Sequence, residues 1–227
     1  MNYVGGKARY GAEIAKIVRS RRRPGQMIRE PFCGSCWVSQ HLPVPLTCSD
    51  NLLPLIQLHR AVQKGWEPPD FVSEDEYSDL REAWQEGENG ALIGFVGIAA
   101  SWGGKWWGGY ARGGDRNYVY ESKKTLLEKH KHLKDAIFEH RNYKNLLPIG
   151  EVIYCDPPYA GTLGYGEIFD HSLFWNTVRQ WSQHNTVIVS EYYAPPDFKI
   201  ICEMSHFAMK GTDKKPTRER LYEIHKH

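Results

Sequence analysis

Val152-Ile153-Tyr154-Cys155-Asp156-Pro157-Pro158-Tyr159 is an apolar run that stops at a carboxylate and two prolines. Residues 152–155 read as a short buried strand, apolar throughout and β-branched at its start. Two successive prolines cannot continue a strand ladder, so the chain leaves the sheet at Asp156 with a stiff backbone. One carboxylate, one fixed carbonyl and one aromatic ring then sit at the carboxyl end of a strand, where open α/β sheets bind ligands. This set suits attack by an amino group on an aromatic ring, a poor nucleophile because its lone pair is delocalised. The Asp156 carboxylate and the Pro157 carbonyl are acceptors for its two N–H bonds, and Tyr159 is a ring for the base to stack on. The plain alternative is a strand ending in a proline turn, with Asp156 as a helix cap.

Upstream, residues 27–32 read as the first sheet strand, with Cys33-Gly34-Ser35-Cys36 as a turn into a helix. Glycine there lets a ligand approach the backbone, and a helix amino terminus offers free N–H groups. Residues 44–48 read as the second strand, ending at Ser49-Asp50-Asn51. An acid at that point, about twenty residues after a glycine loop, typically holds a ribose hydroxyl. The other role open to Asp50 is capping the helix expected over 52–63. At the amino end, Tyr3-Val4-Gly5-Gly6-Lys7 combines a permissive turn with a point charge. A helix over 11–20 follows, with Ile14, Ile17 and Val18 on one face. Arg19, Arg21, Arg22 and Arg23 close it, as a solvated helix end or a phosphate contact.

Tyr3-Val4-Gly5-Gly6-Lys7, Glu30-Pro31-Phe32-Cys33-Gly34 and Asp156-Pro157-Pro158-Tyr159, in this order, resemble the Dam-type (D12 class) DNA adenine methyltransferases, including short phage-borne members. The resemblance runs over nearly the whole chain and is sharpest at residues 3–7, 30–34, 48–51 and 154–159. It implies an α/β, Rossmann-like S-adenosylmethionine-dependent methyltransferase with a mixed, mostly parallel sheet. Residues 1–60 and 140–227 would form the catalytic domain, and 61–139 an inserted DNA target-recognition region. The implied reaction moves a methyl group from S-adenosylmethionine to the exocyclic 6-amino group of an adenine flipped out of double-stranded DNA. Asp156, Pro157, Pro158 and Tyr159 would be catalytic. Tyr3, Lys7, Glu30, Phe32, Cys33, Gly34, Asp50, Asn51 and Asp156 would hold the methyl donor. Tyr3 would pack on the donor, and Lys7 would reach toward it or toward the catalytic loop. Cys36 and Trp37 depart from the pattern, standing where the family has small residues. The same site chemistry would serve an amino group on cytosine, on RNA or on a protein amide. A DNA-binding module with an inactive site is the non-enzyme alternative.

Cys33-x-x-Cys36 is also the spacing of a redox pair or of half a zinc site. A thiol oxidoreductase is therefore a different class of reading. The remaining cysteines, Cys48, Cys155 and Cys202, are solitary and fall in apparent strands, and no second C-x-x-C exists. Buried, inert thiols are the favoured reading, and methyl transfer calls for no metal.

Residues 64–145 are the least regular part. Glu67-Pro68-Pro69-Asp70 reads as a linker. Residues 74–86 read as a helix with Tyr77, Leu80 and Trp84 on one face, and 91–101 as a buried apolar helix. Residues 102–114 then interleave tryptophans with glycines and basic side chains. Such a stretch suits nucleic acid, with Trp106 or Trp107 stacking and Lys105, Arg112 and Arg116 meeting phosphates or base edges. The competing reading tucks the tryptophans into the core. A basic helix is expected over 119–134 and a strand over 136–140. Beyond the Asp-Pro-Pro-Tyr motif, 160–169 is a glycine-containing loop placed to cover the site. Residues 172–183 read as a helix and 186–190 as a strand. Residues 198–204 and 220–224 read as final, antiparallel strands, with a mobile basic segment over 210–220.

The chain has 227 residues, 41% of them hydrophobic, enough for one α/β domain with an insertion and against wholesale disorder. No apolar run approaches membrane-span length and no signal-peptide core is present, so the expected location is the cytoplasm of a bacterial or phage-infected cell. No obligatory protein partner is implied. The net charge of +2 is unevenly spread. Residues 1–30 hold eight Lys/Arg against two acids, 67–90 hold one against nine, and 101–134 eight against three. Basic segments split by an acidic one fit a single polyanion-binding face, or an ordinary mixed surface.

Overall fold

The computed structural model describes Met1 and residues 5–159, 169–207 and 216–225. The order of its strands follows from their composition. β4 (Val152–Cys155) is buried at all four positions, which only a central parallel strand requires. It pairs in parallel with β1 (Ile28–Glu30) on one side and with β5 (Thr186–Glu191) on the other. Beyond β1 lie β2 (Leu46–Asp50) and β3 (Ile137–His140), also parallel. Beyond β5 lie β7 (Pro216–Ile224) and then β6 (Phe198–Phe207), both in antiparallel pairings. The full order is β3-β2-β1-β4-β5-β7-β6. The chain winds outward one way from β1 and the other way from β4. The crevice between them is therefore a topological switch point of a Rossmann-like sheet.

Period-2 alternation assigns β4 to two cores. Val152 and Tyr154 face a core with Ile28, Leu46 and Cys48, covered by Ile14, Ala15 and Val18 of α1 (Gly11–Ser20). Ile153 and Cys155 face Phe174, Trp175 and Val178 of α6 (His171–Ser182). The arginine run after α1 ties loops together. Arg19 donates to the His41 carbonyl, Arg22 to those of Gln26 and Val44, and Arg21 meets Glu223 at 2.8 Å.

Between β2 and β3 the chain builds a helical body from α2 (Leu53–Gln63), α3 (Glu74–Gln85), α4 (Ala91–Ala99) and α5 (Tyr118–His130). It has its own core, including Leu55, Leu58, Phe95, Ile98, Trp107 and Leu126. α3 opens on a capping box between Ser73 and Glu76, as the Ser-x-x-Glu spacing favours. Among the described residues no helix is long and apolar enough to cross a membrane.

Three expectations are corrected. Cys33–Cys36 does not lead into an α-helix; a three-residue 3-10 turn, Ser39–His41, follows instead. Pro43 and Pro45 end the segment before a helix could propagate. Residues 137–139 belong to the sheet through β3, so the insertion ends before them. Trp106 and Trp107 pack into the helical body, edge-on to each other, with Trp84 edge-on to Trp106 and stacked on Trp107. The free indole of that loop is Trp102, 62% exposed.

Candidate active site

The carboxyl ends of β1, β2 and β4 bring the sequence-singled residues to one side of the sheet. Asp156 follows β4, and its side chain keeps 17% exposure. Lys7 comes to it from the turn before α1. The Lys7 carbonyl accepts from the Tyr10 and Gly11 N–H groups, which fixes the backbone, and its ammonium donates to the Gly5 carbonyl at 2.9 Å. The ammonium stands 2.7 Å from Asp156 Oδ1 and 3.3 Å from Glu219 Oε1. It also lies 4.7 Å from the centroid of the Tyr159 ring, a cation–π distance. Tyr159 donates its hydroxyl to Glu219 at 2.9 Å, and its ring meets Tyr192 edge-on. Ser190 of β5 donates to the same Glu219 oxygen and pairs with the Tyr154 hydroxyl.

The charges bias one another. Burial raises the Asp156 carboxyl, Lys7 opposes that, Glu219 adds to it, and the result is about 6. Burial alone would lower Lys7, but Asp156 and Glu219 outweigh it and raise the ammonium. Lys7 is therefore a fixed cation, and Asp156 is ionised at neutral pH while held close to its titration range.

The neighbouring loop is shaped by Asp50. Its two oxygens accept the Gly34 N–H at 3.1 Å and the Leu52 N–H at 3.0 Å. It thus ties the glycine turn to the residue before α2 by an i to i+2 turn contact, while the helix itself carries no side-chain cap. Each carboxylate oxygen keeps a second lone pair. Gly34 has φ +47°, and so does the unusual Cys36 at +58°. A left-handed backbone costs a non-glycine residue roughly 1–2 kcal/mol. Phe32 joins a cluster of Tyr143, Phe169 and Phe174. Glu30 is buried and accepts from the Ser39 hydroxyl, and burial holds its acidity far down. Asn51 lies exposed past β2, its carbonyl paired with His140. Tyr3 and residues 160–168 of the expected cover lie outside the described residues, as do 210–215 of the basic segment, whose last five residues belong to β7 instead of a mobile stretch.

Lys105, Arg112 and Arg116 stand on the helical body, apart from this cluster in sequence and exposed in large part. Arg112 is paired with Glu74 and Arg116 with Glu121. A polar pocket of about 360 Å³ opens there between Tyr77, Arg81, Trp102, Tyr110 and Arg112.

Sequence reasoning missed Glu219, Ser190 and Tyr192, and also His59. His59 is fully buried beneath the Gly34 loop, where its Nε2 lies 2.8 Å from the Gly34 carbonyl and 3.5 Å from Cys36 Sγ. No local spacing announces these partners; the sheet order and the α2 register bring them in.

No protein-family model and no curated protein sequence matches the chain. Solved structures share its general course. One is the rRNA methyltransferase aviRa of Streptomyces viridochromogenes, at 11% identity over 96% of this chain and 85% of that one, with a TM-score of 0.44. Another is an rRNA methylase of Streptococcus thermophilus, at 6% identity over 96% and 97%, with a TM-score of 0.42. A third is the magnesium protoporphyrin IX methyltransferase of Synechocystis PCC 6803 with bound S-adenosylmethionine, at 10% identity over 98% and 81%, with a TM-score of 0.40. Likeness this distant carries no argument about substrate or chemistry. The fold stands on the chain's own strand order: five parallel strands, an antiparallel pair at one edge, and a switch point at β1 and β4.

Proposed function

We propose that the chain transfers a methyl group from S-adenosylmethionine to the exocyclic amino group of adenine in double-stranded DNA. The observation that carries this reading is the Asp156-Pro157-Pro158-Tyr159 turn at the switch point, with Lys7 locked onto Asp156 at 2.7 Å. The residues at the ends of β1 and β2 fit the donor. Gly34 turns with φ +47° beside the buried Asp50, whose spare lone pairs suit a ribose hydroxyl. The donor supplies an electrophilic methyl; the chain supplies position and charge. Asp156 and the Pro157 carbonyl accept the two amino N–H bonds and turn the nitrogen lone pair toward the methyl. Lys7 holds the carboxylate in one orientation, and Glu219 holds Lys7 and the Tyr159 hydroxyl from behind. Tyr159 keeps partial exposure for stacking on the flipped base.

The test is single-turnover transfer of labelled methyl to duplex DNA, to RNA and to protein, followed by mass spectrometry of the released nucleosides. N6-methyladenine from the DNA arm is the expected product. Methylcytosine, label in RNA alone or label in protein would move the substrate. No label in any arm, with intact folded protein, would remove the activity.

A further inference from the structure

We propose that Cys33, Cys36, Cys48 and His59 form a structural zinc site behind the Gly34 loop. The Sγ atoms of Cys33 and Cys36 and a ring nitrogen of His59 all lie within 4.8 Å of one another, on three buried residues. The Cys36 Sγ to His59 Nε2 distance is 3.5 Å. A tetrahedral zinc with ordinary Zn–S and Zn–N bonds sets that separation at about 3.6 Å. Cys48, fully buried on β2, neighbours Cys36 and donates to Ser39 Oγ at 3.2 Å. Cys48 stands outside that trio but beside Cys36, and turned from Ser39 toward the metal it would close a Cys₃His set that leaves no position open for substrate.

Three further features point to a ligand. Cys36 holds a left-handed backbone, φ +58°, where glycine would sit without strain. A thiol is kept there against the backbone's preference. The far side of His59 is also fixed: its Nδ1 lies 2.9 Å from His130 Nε2, the outer contact that orients a metal-bound imidazole. Finally, Lys129 is buried beside the cluster, donating to the Ser35 carbonyl and lying 4.2 Å from the Trp37 ring. Three thiolates and one Zn²⁺ leave a net single negative charge, which this ammonium balances.

Loading is a balanced proton exchange. Zinc displaces one proton from each thiol to solvent, three in all. His59 gives up the Nε2 hydrogen now directed at the Gly34 carbonyl and carries it on Nδ1, donating to His130 Nε2, while His130 carries its own on Nδ1. The metal would pin the glycine turn to β2 through Cys48 and to α2 through His59.

The experiment uses the full chain, purified without chelator and analysed for metal. About one zinc per chain is expected, and Cys36→Ser, Cys48→Ser and His59→Ala should each reduce it severalfold. Those variants are prone to misfold, so wild-type protein is also stripped, refolded with Co²⁺ and examined by absorption. Thiolate-to-cobalt charge-transfer bands and intense tetrahedral d–d bands are expected, with a melting temperature higher in zinc than in chelator. Absent charge-transfer bands, or equal melting temperatures in zinc and in chelator, would overturn the site. Neither readout depends on methyl transfer, so this inference and the proposed activity fail separately.

Discussion

Asp156 is under two opposed demands: the proposed acceptor chemistry needs it charged, and its surroundings penalise the charge. Its carboxyl is raised by burial, with Lys7 opposing, to about 6. The sign for activity follows directly. Transfer should reach a plateau above neutrality and fall about tenfold per pH unit below 6, as protonation removes the acceptor. Stability runs the other way. A carboxyl whose folded pKa is raised binds protons more tightly when folded, so its contribution is fully present below about 4 and is lost as pH rises through 6. The charge therefore costs roughly 3 kcal/mol at neutral pH. Asp156→Asn should melt at the same or a higher temperature by circular dichroism while losing at least ~100-fold in single-turnover rate. A folded Asp156→Asn with near-normal turnover would end the assigned mechanism. Glu219 refines the test because it raises Asp156 through space. Glu219→Gln retains an acceptor for Tyr159 and removes that charge. The acid limb of the pH–rate profile should move to lower pH, whereas a purely structural role would leave the limb in place. The four motif residues were legible because they are contiguous. Glu219 was not, since β7 reaches Lys7 only after a hairpin and an antiparallel return.

At the scale of elements, the helical body shows what periodicity resolves and what it does not. The apolar run over 91–101 reads as a buried helix, and α4 is one, yet its two internal glycines look unfavourable by propensity. Packing explains them. A Cβ on Gly94 would sit 2.1 Å from the Pro54 carbonyl oxygen of α2, and one on Gly97 would sit 2.6 Å from the Trp106 ring. The two helices touch backbone to side-chainless backbone. Gly94→Ala, worth about 1 kcal/mol of gain in an exposed helix, should here destabilise by about 2 kcal/mol or more. Urea unfolding with an unchanged slope is the measurement; a stabilised variant would mean that α2 and α4 can separate freely. The same packing consumes Trp106 and Trp107. Aromatic and glycine interleaving signalled a nucleic-acid loop, but glycine spacing equally lets large rings dock on a helix. Only tertiary contact separates the two, and it leaves Trp102 outside. The helix expected after Cys36 failed for a local reason visible in the chain: Pro43 and Pro45 leave too few residues to propagate it.

Across the whole molecule, the unbroken apolar run of β4 and the tandem prolines were enough to predict a buried strand that ends at Asp156. The antiparallel final pair was also expected, over 198–204 and 220–224, and both strands run further than that, to Phe207 and from Pro216. The pairing order was not, since β1 and β4 meet across more than half the chain. Charge distribution is the last property of this scale. Lys105, Arg112 and Arg116 are carried by the insertion, and one acid of α3 lies against one of them: Arg112 is paired with Glu74, at 75% and 46% side-chain exposure. Exposed pairs of this kind contribute little to stability, so a polyanion can displace the carboxylate readily. Two variants then separate phosphate contact from mere surface pairing. Lys105→Ala with Arg112→Ala removes two cations and should flatten the dependence of log K on log salt by about 2, at 0.9 per phosphate on B-form DNA. Glu74→Gln frees Arg112 from its partner and removes a repulsive charge, so duplex affinity should rise, most at low salt where screening is weakest. Fluorescence anisotropy of a labelled duplex across a salt series reads both, with thermal melting as the folding control. An unchanged slope in the double variant together with unchanged affinity in Glu74→Gln would take the proposed DNA contact off the insertion.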